Sequence, residues 1–278
     1  MKILYISKGE GADYECDMIF HGLRSLLGED VVDINKIGFM YKGTQHPPFY
    51  TLYALLDDID VDRSDIINKI RNRYFDAIVY GSVHRYREFV EEVCSVYPPS
   101  KIVFIDGEDD NVIHPMVGRG HYFKREILEK QPNIQPIQFA IPKEKILSSI
   151  PAKTRLLSPL DPRDRSTYIY YDSEAHYYEQ YGESYFGRTM KKGGWDCCRH
   201  YEIMAAGALP LFDRLEECPE WTMFWLPKKE LLEAKRLFEH WDTDRLPEYG
   251  RLLCEVRDIL RRELTTEAMA KRILEKIG

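Results

Sequence analysis

The strongest constraint on this chain is a rhythm of short apolar segments separated by stretches with helical spacing. Lys2–Ser7 (KILYIS), Ala77–Val83 (AIVYGSV) and Lys101–Asp106 (KIVFID) are short, continuous apolar runs, which predicts buried strands. Asp30–Asn35 (DVVDIN) predicts another. Between Lys2–Ser7 and Asp30–Asn35, Tyr14–Leu27 places Met18, Phe20, Leu23 and Leu27 close to helical spacing, with Gly28 as the stop. Strand, helix, strand in that order implies a parallel pair joined by a right-handed crossover. Helices are expected over Arg63–Tyr74, Tyr86–Val96 and Gly120–Lys130, and a further strand over Ile134–Ile141. The alternation predicts a doubly wound α/β domain.

Pro142, Pro151, Pro159 and Pro162 then cluster, which suits a connection between two lobes and divides the chain into 1–150 and 151–278. Beyond the connection, a short strand is expected at Arg155–Ser158 and a helix at Ser173–Tyr181. Tyrosines crowd the stretch from Tyr168 to Tyr185, which reads as aromatic packing. Trp195–Ala206 predicts a helix stopped by Gly207, and Ala208–Phe212 a strand. Pro227–Trp241, Pro247–Arg262 and Thr265–Ile277 predict C-terminal helices with apolar stripes.

Composition narrows the class. A hydrophobic fraction of 44% can fill such cores, and a net charge of −7 implies no sequence-independent grip on nucleic acid. The opening MKILYIS lacks a basic segment followed by a long apolar one, so no secretory signal is expected. No apolar run reaches the length of a membrane span. Six cysteines, two of them adjacent at Cys197 and Cys198, form neither a disulfide framework nor a Cys-x-x-Cys metal knuckle. The expectation is a cytoplasmic globular protein.

The chemistry concentrates at Gly187–Phe212. Arg199 and Glu202, three residues apart on one helix, share a face. Arg188, Lys191 and Lys192 precede that helix, with Gly193 and Gly194 between. Cations and unpaired backbone N–H groups beside a helix start suit a phosphate, and a carboxylate further along can accept from a ribose diol. The plain alternative is an Arg–Glu salt bridge with solvated lysines. His200 reads equally as a packing residue, and Cys197 and Cys198 as buried apolar ones.

The string Arg199-His200-Tyr201-Glu202-Ile203-Met204-Ala205-Ala206-Gly207-Ala208-Leu209-Pro210-Leu211 resembles the donor-binding signature of GT-B glycosyltransferases. With Gly-Gly-Trp-Asp before it, and Cys218-Pro219, Thr222-Met223 and Pro227-Lys228 after it, it resembles the exostosin-like and spore-coat-like branch. The resemblance covers about Ser184–Lys228. It implies two Rossmann-like lobes with an interdomain cleft, and a metal-independent, hexosyltransferase-like enzyme without a resident cofactor. The co-substrate would be a nucleotide-diphosphate sugar, first of all a UDP-sugar. Glu202 would hold the donor ribose, and Arg188, Lys191, Lys192, Gly194 and Arg199 would surround the diphosphate.

The base that takes the acceptor proton is expected on loops at the carboxyl ends of the first lobe's strands. Asp13, Asp17, His84 and the cluster Asp106, Glu108, Asp109 and Asp110 are the candidates there. The acceptor stays open among a glycan, a protein, a small molecule and a modified nucleic-acid base. The same acidic cluster resembles the Asp-x-Asp metal site of GT-A enzymes and, faintly, the haloacid-dehalogenase phosphatase motif, so a metal-dependent transferase or phosphatase is an alternative. A non-catalytic nucleotide-binding protein is another. His46 beside Pro47 reads as surface loop, and His114 and His121 as cleft-side possibilities.

Overall fold

Side-chain alternation explains how the first half folds. In β1 (Ile3–Ile6), Ile3 and Tyr5 enter one core while Leu4 enters the core on the opposite face with Ile6. Every backbone-adjacent pair is therefore buried on both sides, as an interior parallel strand requires. The computed structural model describes residues 1–44, 50–167 and 173–278. His46, Tyr168, Tyr170 and Tyr171 lie outside the described residues.

After β1 come α1 (Tyr14–Leu27), β2 (Val31–Asp33), α2 (Ile66–Arg71), β3 (Ala77–Tyr80), α3 (Val90–Val96), β4 (Ile102–Asp106), β5 (His121–Lys124) and β6 (Ile134–Pro136). They form one parallel sheet in the order β2-β1-β3-β4-β5-β6. The order reverses between β1 and β3, where the loops leaving the two strands part and open a crevice. The predicted helix over Gly120–Lys130 is instead β5. Tyr122 and Phe123 have strand-favouring side chains, and pairing with Val103–Asp106 buries one on each face of the sheet.

The second half contains β7 (Arg155–Leu157), α4 (Glu174–Gly182), β8 (Ser184–Met190), α5 (Cys198–Ala205), β9 (Leu209–Asp213), α6 (Lys228–Glu239), α7 (Leu246–Glu263) and α8 (Thr266–Ile277). Its parallel sheet, β7-β8-β9, has only three strands. The middle one was not foreseen, because SYFGRTM carries a glycine and an arginine inside its apolar residues. Tyr177, Tyr178 and Tyr181 of α4 pack into this lobe's core, as the tyrosine crowding predicted.

The last helix returns to the first sheet. Met269, Ala270, Ile273 and Ile277 share a core with Phe20 and Leu23 of α1. The approach is close enough that a Cβ on Gly22 would lie 2.0 Å from the Thr266 carbonyl oxygen. The two passages between lobes run side by side: Ile141 N–H donates to the Leu264 carbonyl at 3.0 Å, and Thr266 N–H donates to the Ile141 carbonyl at 3.1 Å. Among the described residues, no helix is long and apolar enough to cross a membrane.

Candidate active site

A cleft of about 840 Å³ opens where the first sheet's carboxyl ends face the segment leading into α5. The loop after β1 supplies Gly11–Glu15, the end of β4 supplies Gly107–Asp109, and Arg125 follows β5. From the second lobe come Tyr177, Lys192–Gly194, Asp196–Arg199 and Glu202. Sequence-distant segments thus meet because parallel strands all end on the same edge of their sheet.

Glu202 is buried yet lines the cleft. Its Oε1 accepts from the Thr51 hydroxyl at 3.0 Å and its Oε2 from the Tyr177 hydroxyl at 2.8 Å. Burial raises its pKa above the usual glutamate range, while the two hydroxyls pull it back. A carboxylate offers about four acceptor positions, so two bonds leave capacity for a diol. Arg199 is buried on the same wall and Lys192 stands exposed beside it. Burial, followed by the charge of Arg199, lowers the Lys192 pKa.

Gly193 and Gly194 pack against the first lobe's acids. A Cβ on Gly193 would fall 2.2 Å from an Asp109 carboxylate oxygen, and one on Gly194 would fall 2.4 Å from Glu126 Oε1. Only a residue without a side chain lets the loop approach this closely. Asp196 completes the junction. Its Oδ1 accepts from the Tyr201 hydroxyl at 2.8 Å and its Oδ2 from the Phe139 N–H at 2.6 Å. Burial pushes its pKa up to about 6 against the opposing pull of Arg125.

The expected residues do not all meet. Asp13, Glu108, Asp109, Lys192, Gly194, Arg199 and Glu202 line the cleft. Arg85 bridges Asp13 and Glu108, at 3.0 Å to each. Burial lifts the pKa of Asp13, with Arg85 opposing. Asp106, by contrast, turns into the core. Lys124 Nζ lies 3.1 Å from its Oδ1, while His84 Nε2 at 3.0 Å and the Tyr122 hydroxyl meet Oδ2.

Arg188 lines a separate cavity of about 220 Å³ with Arg163 and Lys235, and lies 3.8 Å from the Asp161 carboxylate. Lys191 is exposed over the Trp195 ring, 5.0 Å from its centroid. The cause in both cases is local. Successive side chains of β8 alternate in direction, and Lys191 follows the strand's last residue and turns outward. Among the described residues, no group of three His, Cys, Asp or Glu side chains gathers as a metal-ligand set.

Of the remaining candidates, His200 and Asp17 are buried core groups, Cys197 and Cys198 line the cleft, and His114 is half-buried and outside it. His200 Nε2 faces the Trp195 carbonyl at 2.9 Å, so it carries the proton and Nδ1 accepts from the Thr189 hydroxyl at 2.7 Å. Burial lowers the His200 pKa to about 3, and the ring is neutral. Burial likewise raises the thiols of Cys197 and Cys198. His114 packs edge-on against His84, with ring centroids 4.9 Å apart. Asp17 lies inside α1, bonded by the Tyr50 hydroxyl at 2.7 Å and the Asp13 N–H at 3.0 Å.

Sequence reasoning missed Glu15, Arg85 and Arg125 and gave Asp196 no role. Arg125 is fully buried and holds the Gly107 carbonyl with Nε at 3.1 Å and the Asp196 carbonyl with Nη1 at 3.0 Å. Glu15 is buried, and neither carboxyl oxygen has a hydrogen-bond partner among the described residues. Burial raises its pKa well above the glutamate range. The available signal for Glu15 was its position in the first turn of a helix that follows a strand-end loop.

No family model and no curated protein sequence matches the chain. Solved structures do match its fold. One is an alpha-glucosyltransferase in complex with UDP and a 13-mer DNA containing an HMU base (TM-score 0.56, 10% identity, 100% of this chain and 99% of that one). Another is HepE from Anabaena in complex with UDP-glucose (TM-score 0.52, 8% identity, 100% and 99%). A third is an alpha-glucosyltransferase with UDP-glucose and DNA containing an abasic site (TM-score 0.51, 11% identity, 99% and 98%). From end to end, this chain has the two-lobed Rossmann-like architecture of the GT-B glycosyltransferases.

Proposed function

We propose that the protein is a glycosyltransferase that moves a hexose from a UDP-sugar to an acceptor hydroxyl, without a metal and in the cytoplasm. The observation that carries this reading is the shared cleft. Lys192, Arg199 and Glu202 line the second-lobe wall, opposite Asp13 and Glu108 at the first sheet's carboxyl edge. Residues 151–278 take the donor and 1–150 the acceptor, with the last helix docked back on the acceptor side. The sequence string around Glu202 supports placement in the exostosin-like and spore-coat-like branch.

The roles follow from charge and position. Lys192 and Arg199 face the diphosphate, whose two phosphates need cations when they leave as UDP. The N–H groups near Gly194 add to that field. Glu202 accepts from the ribose hydroxyls through the acceptor positions that Thr51 and Tyr177 leave open. Asp13 takes the acceptor proton, because burial makes its carboxylate more basic than an exposed one. Glu108 and Asp109 hold Arg85 and Arg125 in place at the same edge.

In the reaction, the acceptor oxygen forms a bond to the anomeric carbon while the bond from that carbon to the diphosphate breaks. The hydroxyl proton passes to Asp13, and UDP carries the negative charge away. Titration calorimetry with UDP, with inorganic phosphate as control, tests the donor site. Binding of UDP that weakens at least tenfold in Glu202→Ala is expected. Equal affinity in the two proteins, or no UDP binding, overturns the reading.

A further inference from the structure

We infer that the acceptor is an uncharged pyranoside, laid with one ring face on an aromatic wall of the first lobe. This rests on the donor reading above. The wall is built from Tyr14, Phe39, Tyr50, Tyr53 and Phe139, all of which line the cleft. Tyr50 is its anchor. It is buried, its hydroxyl donates to Asp17, and its ring lies 4.7 Å from Tyr14 and 5.3 Å from Phe39 between centroids. The Arg125 guanidinium lies over the Phe139 ring, 4.4 Å from its centroid. Tyr14 rests against both Tyr50 and Phe139 and is still 39% exposed. The rings meet tilted or edge-on, so the exposed ring of Tyr14, braced by Tyr50 and Phe139, is the face that the cluster offers to the cleft.

What lies beside that face selects the occupant. A pyranose has one flat apolar C–H face and a rim of hydroxyls, so it gains from an aromatic surface flanked by carboxylates. Asp13 and Glu108 are those carboxylates. Among the described residues lining the cleft, the first lobe's cations are Arg85 and Arg125. Arg85 is spent on Asp13 and Glu108, and Arg125 on Asp109 and two backbone carbonyls. The cations facing them, Lys192 and Arg199, are those assigned to the donor diphosphate. A phosphate-rich acceptor such as duplex DNA would meet carboxylates on this side of a chain whose net charge is −7. The transfer then joins the pyranoside hydroxyl oxygen to the donor's anomeric carbon, with the proton going to Asp13 and UDP leaving.

The test uses the whole protein and saturation-transfer NMR with methyl glucopyranosides, methyl galactopyranosides, maltose and cellobiose, each titrated with and without UDP. At least one is expected to bind through its ring C–H protons. Its Kd should rise about five- to tenfold in Tyr14→Ala and recover in Tyr14→Phe, with UDP affinity unchanged within about twofold. The inference is overturned if none of these sugars binds, or if Tyr14→Ala leaves their affinity unchanged. It is equally overturned if a duplex carrying 5-hydroxymethyluracil is glucosylated while the sugars are not. Loss of UDP binding in the wild-type protein would break the donor reading instead, and the titrations without UDP still decide the wall.

Discussion

Asp106 and Glu202 are both buried carboxylates, but only Glu202 lines the cleft, and their surroundings differ in kind. Asp106, at the end of β4, is held by the Lys124 ammonium, by His84 and by the Tyr122 hydroxyl. Glu202, on α5, accepts from two neutral hydroxyls contributed by opposite lobes. An ion pair inside a core is costly to break, because the orphaned partner keeps its charge. A hydroxyl, by contrast, can be exchanged for a ligand hydroxyl at little net cost. Burial alone therefore does not tell a carboxylate locked in an ion pair from one held by exchangeable hydroxyls; the donors do.

The largest effect expected is on stability. Asp106→Ala strands Lys124 in the core and should lower unfolding free energy by about 3–5 kcal/mol in urea titrations. The fraction that stays folded should keep its UDP affinity within about twofold. Glu202→Ala should behave in the opposite way. It should weaken UDP about ten- to a hundredfold by calorimetry, as loss of a hydrogen-bonding charge does, and cost about 1–2 kcal/mol of stability. If both variants lose stability equally and bind UDP equally, the contrast between the two sites is broken.

Asp17 sharpens the contrast through pH. It too is bonded by neutral donors, and burial pushes its pKa up to about 8. The folded state then keeps a proton that the unfolded state, titrating near pH ~4, has lost. Its contribution makes stability fall as pH rises from about 4 to 8 and level off above. Asp17→Asn should flatten that fall by about 3–4 kcal/mol, read as the difference between variant and wild type at pH 5 and pH 8. An unchanged slope would mean that Asp17 titrates normally. The smallest effects separate two neighbours. Lys192→Ala should weaken UDP about three- to tenfold, and Lys191→Ala less than about twofold, since Lys191 lies outside the cleft.

Much of this fold is legible in the residues. The bounds of α1 follow from apolar spacing and from Gly28, which adopts the positive φ of 56° that ends the helix. β5 is not legible locally, because HYFKREILEK also fits helical spacing and only its pairing with β4 settles the matter. β8 hides for a related reason. Gly187 packs against Tyr181, where a Cβ would come within 2.8 Å, so a residue that weakens a strand locally is demanded by tertiary contact. At the site, Glu202 and Arg199 could be read from one string on one helix. Arg125 could not. It lies in a segment read as a helix, and its partners come from two places far apart in the chain, Gly107 and Asp109 after β4 and Asp196 just before α5.

The side-by-side passages at Ile141 and Leu264–Thr266 have a mechanical consequence. A single connecting strand would let the halves swivel and twist about each other in any direction. Two segments joined by a pair of backbone hydrogen bonds constrain the junction more than one would. Twisting one lobe against the other would have to break both of these backbone bonds, whereas bending across them would not.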